Sequence, residues 1–174
     1  MDSFMNSIET VAHDFINDAR MVANSDADWN EFIGKYGHLR PGTYDITSEA
    51  YSENVEKYLR PVIDRFEGDK NNSKYEDNNW LSERERFFNA LQDIGIDDDP
   101  EIIESFLRQS IEGREYAKFI FSKNLSGALS LFAEYGTSLD IDKKTLAHLS
   151  LNSFFELRSG IFSHNEASEI LTKE

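Results

Sequence analysis

The sequence predicts an all-α protein, an irregular domain of about seven to nine helices with one conspicuous Gly-Pro-Gly loop. Three observations carry that expectation. Apolar residues recur at three- and four-residue steps through most of the chain. Capping and stopping residues bracket those periodic stretches. Alternating β-branched runs, which mark strands, are missing.

Phe4, Ile8, Val11, Phe15, Ala19 and Val22 set a first helix over residues 3–23, with Asp2 or Ser3 as its cap. His13 falls off this stripe and reads as a surface residue. Asn24-Ser25-Asp26 breaks the helix, and Asp26 is placed to cap the next. Trp29, Phe32, Ile33 and Tyr36 give a short helix over 28–36, and Gly37 stands where a left-handed residue closes a helix.

The stretch from Tyr36 to Ile46 is the least like an ordinary connector. Pro41 fixes its own φ and pushes Arg40 toward extended geometry. Gly37 and Gly42 permit positive φ. Between them stand His38, Arg40, Tyr44 and Asp45: an imidazole, a five-donor cation, a phenol and a carboxylate. Two readings stand for these residues. One is a functional loop; the other is a tight connection whose Arg satisfies helix C-terminal carbonyls and whose Asp caps the next segment.

Residues 47–59 read as loop and then a short helix that Pro61 limits. Residues 67–79 hold one aromatic and no aliphatic residue, which predicts a mobile loop and the main internal boundary. The expected organisation is one helical domain over 1–174, with a subdivision into 1–66 and 80–174. Ser82-Glu83-Arg84-Glu85 reads as a capping box opening a helix to Ile94, stopped by Gly95. Asp97-Asp98-Asp99 and Pro100 open a long helix to about residue 121. Gly113 within it points to close packing or a bend. A separate helix is expected over 124–135, closed by Gly136, then short ones over 142–149 and 151–158, started by Asp142 and Asn152. His148, among leucines, reads as structural, and Asn165 caps a last helix to Leu171.

Several chemistries are excluded. The chain has no cysteine, so disulfides and thiolate sites are out. No metal site is expected: the three aspartates lack the alternating ligands and closing Glu of a calcium loop. There is no Gly-rich phosphate loop and no His relay. The net charge of −15 argues against nucleic acid and anionic membranes. It reads as a solubility feature, or as an acidic face for a basic partner. No apolar run is long enough to span a bilayer and no signal peptide is visible, which fits a cytoplasmic protein.

Two patches carry a resemblance. Tyr36-Gly37-His38, Pro41-Gly42 and Asp45-Ile46 resemble the Tyr-Gly-His-x-x-Pro-Gly-x-x-Asp-Ile element in the helical region of the phosphoenolpyruvate synthase-like phosphotransferases. Arg114-Glu115-Tyr116-Ala117-Lys118-Phe119, with Asn124-Leu125-Ser126-Gly127-Ala128-Leu129, resembles a second pattern of that region. Within the superfamily the chain is most similar to the glutamine kinases of capsule biosynthesis, and more distantly to rifampicin phosphotransferases. The likeness covers roughly residues 28–160.

The resemblance implies an acceptor-binding domain of an ATP-dependent kinase, to which a phosphohistidine on a separate domain brings the phosphoryl group. Catalytic roles then fall to His38, Arg40 and Asp45, and substrate-binding roles to Tyr44, Arg114 and Lys118. Arg114 and Lys118 share a helix face, where Glu112 and Glu115 offset them on the plainer reading of a solvated surface. The implied acceptor is a small molecule, such as the amino acid glutamine. ATP and magnesium are implied for the full-length enzyme and not for this chain. The ATP-grasp and phosphohistidine domains are expected as partners in cis or trans, so activity of this chain alone is not expected. Gly160-Ile161-Phe162-Ser163-His164 is a decoy of the phosphohistidine motif, lacking one glycine and its alanine. The alternative to all this is a non-catalytic helical interaction module.

Overall fold

The computed structural model describes residues 4–5, 7–68 and 79–159. The expectations for the rest of the polar stretch 67–79, for Gly160–His164 and for a helix ending at Leu171 fall outside those residues. The described chain is all-α with no strand, and after the helical pair Phe4 and Met5 it has eight helical segments. They are α1 Val11–Ala23, α2 Trp29–Tyr36, α3 Val55–Tyr58, α4 Arg60–Asp64, α5 Asn79–Asp93, α6 Pro100–Ser138, α7 Lys143–Leu146 and α8 Leu151–Arg158. Two of them, α3 and α7, are single turns of four residues, so six longer helices carry the fold.

Helix ends differ from the expected ones for local reasons. The helix expected over 3–23 is interrupted: Phe4 and Met5 are helical, but α1 starts afresh at Val11, where the Thr10 hydroxyl takes the His13 amide at 3.4 Å and caps it. Asp28, not Asp26, caps α2, its Oδ1 accepting the Asn30 and Glu31 amides at 2.7 and 3.0 Å. Pro61 opens α4 rather than ending its predecessor. Ser82 lies inside α5, so it is no N-cap. Gly95 does close α5, with φ 83° and the Ile96 amide reaching the Leu91 carbonyl. Neither Gly37 nor Gly42 takes positive φ. Gly42 is needed for space instead: a Cβ there would sit 3.0 Å from the Asp45 Cβ. Asp99, Asp142 and Ser150 cap α6, α7 and α8 through the amides of Glu101, Thr145 and Ser153.

The largest departure is α6. The sequence suggests two helices across 100–135, and one of 39 residues is found. Ser122, Lys123 and Asn124 suggest a break, but none of them costs a helix more than a few tenths of a kcal/mol. Gly136 does not stop it; Asp140 does, with φ 56° and the Ile141 amide reaching the Gly136 carbonyl. Gly113 has open space around it, so it reports no close contact.

The chain divides into two compact units, and neither is a continuous stretch. The first comprises Met1–Tyr36 and Glu56–Phe121, the second Gly37–Val55 and Ser122–Glu174. The flanks of the polar stretch 67–79 therefore belong to the same unit, and the division falls elsewhere than across it.

In the first unit one core gathers Phe4, Ile8, Trp80 and Phe88, with Ile103, Leu107 and Ile111 of α6 against them. Beside it Glu104 accepts from Trp80 Nε1 at 2.9 Å, Arg84 Nε at 2.6 Å and Arg108 Nη2 at 2.9 Å. Burial alone would raise the Glu104 pKa, but these donors outweigh it and hold the carboxyl below its ordinary range. A second cluster brings together Phe15, Phe32 and the fully buried Tyr36 in tilted and edge-to-face contacts, and the Tyr36 hydroxyl donates to Asp18 at 2.8 Å. In the second unit Ile46, Ala133, Ile141 and Leu146 form the core, and the 37–55 loop lies against the last turns of α6.

Candidate functional site

Arg40 is the fixed point of the second unit. Its side chain is 2% exposed. Nε donates to Ser126 Oγ at 2.9 Å, Nη2 to Ser130 Oγ at 2.9 Å, and Nη1 to the Ser48 carbonyl. Glu53 adds a carboxylate at 3.9 Å and is itself 3.6 Å from Lys143 Nζ. A guanidinium so placed ties the loop to α6 from two sides. It has no face left for a ligand.

Past Arg40 the loop folds back on itself. The Gly42 amide donates to Ser48 Oγ at 3.2 Å. Asp45 Oδ1 accepts the Thr47 amide at 2.8 Å and the Thr47 hydroxyl at 2.7 Å, a local turn that short polar side chains favour. These bonds hold the exposed Asp45 carboxyl below its ordinary pKa. Ile46 drops into the core and anchors the turn.

Beside this turn is a cavity of about 230 Å³. Tyr44, Asp45 and Ile46 form its loop wall. Leu129 and Phe132 of α6 form the second wall, and residues 146–150 close it with Leu146, Leu149 and Ser150. Its body is apolar and its mouth carries a phenol, a carboxylate and a hydroxyl.

The six candidate residues are thus sorted. Tyr44 and Asp45 share this cavity. Arg40 is buried as a clamp between the loop and α6 and does not line it. His38 sits half-buried in the turn after α2 and does not line it. Arg114 and Lys118 belong to the first unit. There Lys118 pairs with Glu115 at 3.5 Å, and Arg114 lines a separate cavity of about 310 Å³ with His13 and Glu115. His13 is no plain surface residue: it is half-buried, with Nδ1 2.7 Å from the Ile8 carbonyl. His148 is exposed, so it is not packed among its leucine neighbours.

Sequence reasoning missed Ser126 and Ser130 as the acceptors for Arg40, and Leu129, Phe132 and Leu149 as walls. The Asn-Leu-Ser-x-Ala-Leu patch was the available signal, since it supplies both Ser126 and Leu129. Among the described residues no group of three or more His, Cys, Asp or Glu is placed to hold a metal ion. No helix among them is long and apolar enough to cross a membrane. Comparison with protein-family models, with curated proteins and with solved structures finds no match to this chain.

Proposed function

We propose that the chain is the acceptor-binding helical part of an ATP-dependent phosphotransferase, and that the cavity beside the 37–55 loop holds the acceptor. One observation carries this reading. The two stretches that bear the resemblance lie far apart in sequence, yet Arg40 of one bonds Ser126 of the other, and both contribute walls to the same cavity. A functional motif split across a chain is expected to reunite at a site.

In this reading Tyr44 and Asp45 face the acceptor, and Arg40 is a positioning residue that holds them against α6. Asp45 is ionised at neutral pH and a weak base, which suits orienting an acceptor more than removing its proton. Phosphoryl transfer depends mostly on positioning and charge neutralisation. The neutralising cations, with ATP and magnesium, come from the phosphoryl-donating domains, because no Lys or Arg among the described residues lines the cavity. Calorimetry of the chain against amino acids, including glutamine, and against small amines and sugars tests the reading. Saturable binding that Leu129→Trp abolishes by filling the cavity is expected. Binding that survives the plug, or none at all, sinks it.

A second reading, a protein-interaction module, is favoured by one face of α6. Ile102, Phe106 and Tyr116 lie within one helical arc and are 67, 68 and 62% exposed. Its mark is capture of a protein that Phe106→Glu abolishes while small-molecule binding is untouched.

A further inference from the structure

The lining of the cavity restricts what it can hold, and this inference rests on its being the ligand site. Leu129, Phe132, Leu146 and Leu149 give it an apolar body. A cavity of about 150 Å³ with such walls accommodates a benzene ring. At about 230 Å³ this one has room for a ring and a short chain. The mouth has one formal charge, the Asp45 carboxylate. Its Oδ1 accepts from both Thr47 donors, and the side chain lines the cavity. Tyr44 adds a phenol to the lining. Among the described residues no cation lines the cavity, and the nearby guanidinium of Arg40 is spent on Ser126, Ser130 and Ser48. An anionic ligand group would meet the like charge of Asp45 with no lining cation to offset it.

We propose that the cavity selects a small apolar amine: a ring or short alkyl body between Leu129 and Leu149, with a protonated amino group on Asp45. Carboxylates and phosphates of the same size are excluded. An acceptor of this class presents its amino group, or a hydroxyl beside it, at the mouth.

The test is an isosteric series on the whole chain: 2-phenylethylamine, 2-phenylethanol and 3-phenylpropanoate, followed by ¹H–¹⁵N shifts of the Ala147, Leu149 and Ser150 amides. The amine is expected to bind tightest and the carboxylate about tenfold weaker, the one gaining a charged hydrogen bond and the other a like-charge repulsion. Asp45→Asn weakens the amine by about tenfold and leaves the alcohol nearly unchanged. The exposed Asp45 makes this variant safe for folding, and the wild-type series decides by itself if it is not. Carboxylate binding equal to or tighter than amine binding overturns the inference and leaves the ligand site standing. Absence of shifts with all three compounds also overturns the inference, and the calorimetry with amino acids and sugars then decides the ligand site separately.

Discussion

Arg40 shows how a residue can be conspicuous in sequence for one reason and important in structure for another. A cation between two glycines and a proline reads as chemistry. Its donors are in fact met by hydroxyls 86 and 90 residues downstream, which no local spacing reveals. Arg40→Lys keeps the charge but loses the planar fork. It should lower stability by about 2 kcal/mol in urea unfolding. A purely ligand-facing Arg40 would leave the midpoint where it was. Glu104 makes a second residue-scale case. Its carboxyl binds a proton less readily folded than unfolded. Its contribution is therefore fully present above the ordinary value of 4.5 and is lost as pH falls through the lower folded value. Glu104→Gln should flatten the acid limb of the stability curve below about pH 4.5, measured by thermal unfolding from pH 3 to 7.

At the scale of elements, periodicity locates the helices and misjudges their ends. Asp99, Gly95 and Asp142 are legible because each acts through its own neighbours. Gly136 misleads because its role is tertiary. A Cβ there would lie 2.3 Å from Leu146 Cδ1 and 3.1 Å from the Ile141 carbonyl. Leu146 is a core residue and cannot yield easily. Gly136→Ala should therefore destabilise by about 1–3 kcal/mol. Gly113→Ala should stabilise by roughly 0.5–1 kcal/mol, because its surroundings are open and it lies within the helix. Opposite shifts of the melting temperature test the two together. A stabilising Gly136→Ala would mean that α7 does not pack there.

On the scale of the whole molecule, the all-α class was legible and the organisation was not. A polar run suggests a boundary because boundaries are polar. Core membership cuts across the run: Phe4 and Ile8 pack with Trp80 and Phe88 from beyond it. Residues 80–174 expressed alone should lose that core and show depressed helicity by circular dichroism. A native-like cooperative transition for that fragment would restore the boundary the sequence suggested. The candidate site was half legible. Tyr44 and Asp45 stood out, whereas the apolar walls from α6 and residues 146–150 looked like any other core positions.

The most direct test of the central claim is a residue-by-residue ¹H–¹⁵N map of where a bound amine acts. The account predicts saturable shifts confined to residues 44–46, 129–132 and 146–150, lost in Leu129→Trp. Shifts along the exposed face of α6 at Ile102, Phe106 and Tyr116, or no saturable shift anywhere, would contradict it.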